Sequence, residues 1–131
     1  MSSRTVLVVD DLPFARKVLT EILVKAHYQV VGEAKNGKEA IQLYRELRPE
    51  IVTMDIVMPV MSGIDATRTI MKMDPDGKVI MVSAMNQESL VMEAVAAGAK
   101  DYVTKPFTAD DIVKAVNRLI SQEDSNIKSA V

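Results

Sequence analysis

Three carboxylates, one hydroxyl and one ammonium group follow short apolar runs of this 131-residue sequence: Asp10, Asp11, Asp55, Ser83 and Lys105. Clustered carboxylates repel one another unless a cation is present. Three aspartates (−3) and the lysine (+1) sum to −2, which suits one divalent metal ion. Oxygen ligands with an incomplete shell favour Mg²⁺, which commonly shares its coordination with phosphate oxygens. The five residues therefore indicate phosphoryl chemistry.

Among these five residues, Asp55 is the candidate nucleophile, because it stands alone between the acidic pair and the lysine. A carboxylate can attack phosphorus to give an aspartyl phosphate, while a metal ion neutralises the developing charge. Lys105 can hold an equatorial phosphoryl oxygen, and Ser83 can donate a hydrogen bond to the phosphoryl group. We therefore expect Asp55, Lys105 and Ser83 to be the catalytic residues, without a separate base or a bound nucleotide.

Five strand and helix units must bring these residues together. The predicted strands cover residues 5–9, 29–33, 51–54, 78–82 and 101–104. Each is followed by apolar residues at helical spacing, and Pro13, Asn36, Ser62 and Thr108 mark helix starts. This alternation predicts an α/β fold, with a doubly wound five-stranded parallel sheet and helices on both faces. Ligands gather at the carboxyl edge of such a sheet, where the five polar residues fall.

The sequence indicates one domain over residues 5–120, with an N-terminal extension (1–4) and a polar C-terminal tail (121–131) expected to fray. Cysteine is absent, which excludes thiol chemistry, and a net charge of −2 does not favour direct nucleic-acid binding. The apolar runs fall far short of the ~20 residues of a membrane span. We therefore expect a cytoplasmic protein without membrane contact, and a monomer, because no apolar seam stands outside the five units.

The motifs together resemble the receiver domain of bacterial two-component response regulators. The resemblance covers residues 5–120 and rests on VVDD (8–11), MDIVMP (54–59), SA (83–84) and KPF (105–107). It implies a flavodoxin-like fold with strand order 2-1-3-4-5, Mg²⁺ as cofactor and a cis bond before Pro106. It also implies a phosphoacceptor switch that catalyses only its own phosphorylation and dephosphorylation, and is not otherwise an enzyme.

The resemblance also assigns roles to single residues. Asp55 would be the phosphoacceptor and a metal ligand, Asp11 a direct Mg²⁺ ligand, and Asp10 the acid that holds a metal-bound water. Val57 would contribute its backbone carbonyl to the metal. Ser83 and Tyr102 would form the switch pair, in which the hydroxyl moves toward the phosphoryl group and the aromatic ring turns inward. The target-binding face would consist of the fourth helix, fifth strand and fifth helix.

The implied partners are a chemotaxis-type histidine kinase and a flagellar motor switch protein. Val57 and Met85 are apolar and would flank the approach of the hydrolytic water, so we also expect a dedicated phosphatase. Two alternatives stay open within the family: a phosphorelay intermediate that passes phosphate to a histidine phosphotransfer protein, and a single-domain receiver unrelated to motility. A Mg²⁺-dependent phosphatase would need a capping insertion, which this sequence lacks. The intact polar set disfavours a phosphate-independent module.

Structural explanations compete for three of these features. The acidic pair Asp10 and Asp11 could cap the first helix. Lys105 could be a salt-bridge partner of Asp10 or Asp55, and Tyr102 could be half-buried strand packing. The presence of Asp55 after a buried strand favours the functional interpretation, because an unpaired buried carboxylate costs several kcal/mol.

Overall fold

The computed structural model describes residues 4–84 and 86–120 with their side chains, and the backbone of residues 121–130. Five strands alternate with five helices along the chain. The strands are β1 (Thr5–Val9), β2 (Gln29–Ala34), β3 (Ile51–Asp55), β4 (Lys78–Ser83) and β5 (Asp101–Thr104). The helices are α1 (Pro13–Lys25), α2 (Gly37–Leu47), α3 (Gly63–Met73), α4 (Glu88–Ala96) and α5 (Ala109–Ala130).

All five strands pair in parallel in the order β2-β1-β3-β4-β5, which confirms the predicted doubly wound sheet. Helices α1 and α5 cover one face, over a core that includes Val6, Leu23 and Val116. Helices α2, α3 and α4 cover the other face, over a core that includes Leu7 and Ile70. Burial on both faces explains why the strands are continuously apolar.

The predicted helix starts are confirmed by side-chain caps. Asn36 accepts a hydrogen bond from the backbone N–H of Glu39, and Ser62 accepts one from that of Asp65. Thr108 and Asp111 form a reciprocal capping box at the start of α5. Helix α1 has Pro13 in its first turn, and Leu12, not an aspartate, stands at its N-cap.

Strands β2, β3 and β4 each extend one residue beyond the predicted end. Asp55 pairs with Val82, and Ser83 pairs with Thr104, so the ladder continues past the apolar run. At this edge, the hydrogen-bonded strands therefore extend beyond their apolar residues. As a result, Asp55 and Ser83 are the last residues of their strands and are held by the sheet itself.

The predicted tail lies largely outside the described residues. Helix α5 continues to Ala130. The structure does not describe the side chains of residues 121–130, nor Val131 or residues 1–3. Within the predicted N-terminal extension, the Arg4 carbonyl accepts a hydrogen bond from Gln29 N–H. No helix in the described part of the chain is long and apolar enough to cross a membrane.

Candidate functional site

The carboxyl edge of the sheet gathers the three predicted acidic residues. Asp10 and Asp11 follow β1, and Asp55 ends the neighbouring strand β3. Each offers a carboxylate oxygen, and these oxygens lie within 4.8 Å of one another. Three acidic oxygen ligands so close together fit a hard divalent cation such as Mg²⁺. The strand order therefore creates a cluster that could hold a metal ion.

Asp10 is fully buried and its carboxylate has partners on both oxygens. Oδ1 accepts a hydrogen bond from Leu12 N–H at 2.9 Å, and Oδ2 lies 3.0 Å from Lys105 Nζ. These contacts allow the charge to remain buried, because a desolvated carboxylate needs a paired cation and satisfied lone pairs. The Leu12 contact closes the turn before α1 and does not cap the helix, so the capping interpretation of the acidic pair does not hold for Asp10.

Asp55 is held in a less favourable environment for its charge. Burial, together with repulsion from Asp10 and Asp11, raises the pKa of its carboxyl from the ordinary 3.8 to about 6. The positive charge of Lys105 lowers the pKa of Asp55. Its Nζ lies 3.9 Å from Asp55 Oδ1, however, and is closer to Asp10. The cluster therefore carries negative charge that the lysine does not fully offset, and a bound cation would offset it.

Lys105 joins the site to the far side of the sheet. Its backbone N–H donates a 2.6 Å hydrogen bond to the carbonyl of Ser83, so the ends of β4 and β5 are tied together. The bond from Lys105 to Pro106 is cis, as the resemblance implies. Ser83 is buried beside the strand that carries Asp55. All five predicted polar residues thus lie at one edge, and the predicted salt bridge of Lys105 is also present.

Val57 and Tyr102 are both exposed, with 58% and 50% of their surface accessible. Tyr102 is thus half-buried on β5, and this exposure alone does not separate strand packing from a switch role. It lies with Ser83 on a groove of about 500 Å³ between β5 and helix α4, which Val91, Met92 and others also line. Met85, the second residue in the hydrolysis hypothesis, lies outside the described residues.

Sequence reasoning missed three residues that shape this edge. A Cβ on Gly63 would meet the backbone carbonyl oxygen of Asp55, so only glycine permits α3 to start there. Gln87 accepts a hydrogen bond from Ala84 N–H at 2.8 Å and holds the loop after β4. Arg16 donates to the carbonyl of Asp10 at 2.7 Å. The sequence carried only weak signals for these three residues, namely a glycine after a capping serine and polar residues near strand ends.

The fold and the acidic edge define a doubly wound α/β domain with a cluster of acidic residues that could hold a metal ion. Residues 6–117 match the family described as the response regulator receiver domain, and the chain belongs to that family. The chain is 53% identical over 116 residues to the chemotaxis protein CheY of Thermotoga maritima, covering 88% of this chain and 97% of that protein. It is 50% identical to a Bacillus subtilis protein named CcdB, with 88% and 96% coverage.

A solved structure agrees with this family assignment. The chain aligns with a CheX–CheY–BeF₃–Mg²⁺ complex from Borrelia burgdorferi at a TM-score of 0.85 and 36% identity, over 88% of each chain. In that complex, a CheY protein occurs together with Mg²⁺ and with a second protein, CheX. The expected family and fold are therefore confirmed, and chemotaxis regulators are among the relatives of the chain.

Proposed function

We propose that this chain is a phosphoacceptor switch of the chemotaxis type, phosphorylated on Asp55 by a histidine kinase. One observation carries the proposal: charged groups from three strand ends meet at one point. Oxygens of the three aspartates lie within 4.8 Å of one another, and Lys105 Nζ lies 3.0 Å from Asp10 and 3.9 Å from Asp55. An arrangement of this kind suits the transfer of a phosphoryl group to a carboxylate.

In the proposed step, an Asp55 carboxylate oxygen forms a bond to phosphorus while the bond from phosphorus to the kinase imidazole nitrogen breaks. Lys105 holds a phosphoryl oxygen, and it needs little movement because its Nζ already lies beside both carboxylates. Ser83, at the end of the adjacent strand β4, donates a hydrogen bond from its hydroxyl to a second phosphoryl oxygen. In this scheme, the chain catalyses only its own phosphorylation and dephosphorylation.

Mg²⁺ is the proposed cofactor. Asp11, Asp55 and the backbone carbonyl of Val57 would hold the ion directly, and Asp10 would hold it through a water molecule. When bound, the ion supplies positive charge that neutralises the phosphoryl oxygens. The raised pKa of Asp55 supports this assignment, since two neighbouring carboxylates contribute to it and a cation would relieve their repulsion.

The proposed output is a change of surface. Ser83 is buried and Tyr102 is half exposed, and both line the groove beside α4. A Ser83 hydroxyl drawn toward the phosphoryl group vacates space into which the Tyr102 ring can turn. Phosphorylation then biases an equilibrium between two arrangements of the face formed by α4, β5 and α5. A flagellar motor switch protein is the proposed target of this face.

The apolar side chain of Val57 stands exposed two residues after Asp55. It offers no hydrogen bond to a water molecule that approaches the phosphoryl group. We infer that the phosphorylated form decays slowly by itself, and that a dedicated phosphatase supplies the polar groups that orient the water. The occurrence of CheY together with CheX in the Borrelia complex supports the existence of further partner proteins for such domains.

The experiment that tests the proposal is an acid-quenched intact-mass time course with a small acyl-phosphate donor, with and without Mg²⁺. The native protein should gain one phosphoryl group only when Mg²⁺ is present. Asp55→Asn should gain none, while Asp65→Asn, a change at an exposed aspartate on α3, should behave as the native protein does. An adduct that persists in Asp55→Asn would overturn the assignment of the phosphoacceptor.

A second measurement tests the output. The affinity of the native protein for a motor switch protein peptide should increase when the donor and Mg²⁺ are added, and Asp55→Asn should show no increase. If the adduct forms but the affinity does not change, the chain is a receiver with another target. The 50% identity to a relative that does not carry the chemotaxis name makes this the alternative to exclude.

A further inference from the structure

The turn between β1 and α1 is held by one arginine. Arg16 lies on α1, and its Nη1 donates a 2.7 Å hydrogen bond to the backbone carbonyl of Asp10. Its Nε donates to Glu33 Oε1 at 3.1 Å, and Glu33 belongs to β2. The Arg16 side chain is only 18% exposed. A single guanidinium therefore connects α1, the end of β1 and the neighbouring strand β2.

The carbonyl that Arg16 contacts belongs to the peptide unit that joins Asp10 to Asp11. A peptide unit is planar, so fixing the direction of its carbonyl restricts the orientation of the plane. The plane in turn restricts where the Cα of Asp11 directs its side chain. On the other side of Asp10, its N–H donates to the carbonyl of Ala34 at 3.0 Å. Both backbone polar groups of Asp10 are thus anchored to other elements.

Such anchoring opposes a force that the cluster itself creates. The carboxylates of Asp10, Asp11 and Asp55 lie close enough to repel one another, and a free turn would relax by moving Asp11 away. Lys105 contacts Asp10 and Asp55, but no hydrogen bond or ion pair in the described part of the chain holds the Asp11 carboxylate. The orientation of Asp11 depends on its backbone.

We propose that Arg16 is a positioning residue of the metal site: it fixes the peptide plane between Asp10 and Asp11 so that both carboxylates face the ion. The inference rests on the proposed Mg²⁺ site and extends it to a residue outside the ligand set. Outer partners that orient metal ligands typically change affinity by 10–100-fold when they are removed. Because Arg16 acts on the backbone and not on a ligand atom, we expect the lower end of that range.

The sign of the effect separates positioning from simple electrostatics. Removing a cation next to a cation site strengthens Mg²⁺ binding if charge alone matters. Positioning predicts the opposite result, namely that Arg16→Ala weakens Mg²⁺ binding by about tenfold. Arg16→Lys can still donate to the Asp10 carbonyl but cannot hold Glu33 at the same time, because it lacks the fork of donors. It should recover part of the loss and bind about threefold more weakly than the native protein.

The test is a Mg²⁺ titration of the full chain, followed through the amide resonances of Asp10 and Asp11 at a temperature where thermal unfolding shows every variant to be folded. Arg118→Ala is the matched control. Arg118 pairs with Asp101 at 3.1 Å, and Asp101 begins β5, at the end of the strand opposite to the metal site. This substitution should leave both the affinity and the Asp11 resonance unchanged. In Arg16→Ala, the Asp11 resonance should be displaced even without Mg²⁺.

Native-like or tighter Mg²⁺ binding by Arg16→Ala would overturn the inference, and so would an equal loss in Arg118→Ala. If Arg16→Ala does not fold, Arg16→Lys decides alone: affinity equal to that of the native protein overturns the positioning role. If the native protein itself binds no Mg²⁺ at millimolar concentration, the proposed metal site fails, and the role of Arg16 fails with it. The outcomes thus distinguish failure of the inference from failure of the proposed function.

Discussion

Replacement of Asp55 by asparagine should stabilise the protein at neutral pH when Mg²⁺ is absent. The substitution keeps the shape of the side chain and removes its charge. The Asp55 side chain is only 13% exposed, and burial together with repulsion from Asp10 and Asp11 raises its pKa from 3.8 to about 6. One pKa unit corresponds to about 1.4 kcal/mol, so ionised Asp55 lowers the free energy of unfolding by about 3 kcal/mol at neutral pH.

The pH dependence of this effect has a definite sign. A carboxyl whose pKa is higher in the folded state than in the unfolded state binds more protons when the protein is folded. The free energy of unfolding of the native protein therefore falls as the pH rises from about 4 to about 6. Below about pH 3 the carboxyl is protonated in both states, so Asp55→Asn should have no advantage there. Above pH 7 its advantage should be complete, at about 3 kcal/mol.

Urea unfolding followed by circular dichroism, between pH 4 and pH 8 in the presence of a chelator, measures this difference. Asp65→Asn is the control, because Asp65 is exposed and pairs with Arg68 at the surface. It should change the stability by less than about 0.5 kcal/mol. Added Mg²⁺ should stabilise the native protein and narrow its gap to Asp55→Asn. An Asp55→Asn variant no more stable than the native protein at pH 7.5 without Mg²⁺ would refute the electrostatic account of the site.

Three further outcomes are expected. Thr53→Val should raise the free energy of unfolding by about 1 kcal/mol in urea titrations, because Thr53 Oγ1 is buried without a hydrogen-bond partner among the described residues; destabilisation would contradict this. Gly63→Ala should lower the free energy of unfolding by about 1–3 kcal/mol, since the new methyl group meets the Asp55 carbonyl. The same substitution should slow the formation of the phosphoryl adduct, and an unchanged adduct rate would count against that contact. Val57→Asn should speed the decay of the phosphorylated protein by roughly tenfold in the intact-mass assay by helping to orient water, and an unchanged decay rate would refute the proposed shielding.

The sequence was sufficient to predict the order of elements and the edge of the sheet where the polar residues meet. This was possible because apolar runs, caps and turns are local signals, as Asn36 and Ser62 show. The strand ends at Asp55 and Ser83 were predicted one residue too early, because a polar residue gives no sign that the ladder continues through it. The strand order came from the family resemblance and not from periodicity.

Some contacts between distant parts of the chain were beyond sequence reasoning, although the salt bridge of Lys105 was predicted. Nothing in the local sequence shows that Arg16 reaches the Asp10 carbonyl and Glu33 together, or that Gly63 must leave room for the backbone of Asp55. The raised pKa of Asp55 likewise depends on burial and on two carboxylates that only the folded sheet brings near. Such features arise from the relative placement of elements, which local composition does not encode.

The ion pair between Asp10 and Lys105 spans 95 positions of the chain. While the protein is being made on a ribosome, the acidic pair emerges early, and the lysine emerges only after all five strands. A growing chain therefore cannot assemble the complete site until β5 has left the exit tunnel and joined the sheet. Under the proposed function, a chain that ends before β5 would therefore be a poor acceptor of the phosphoryl group.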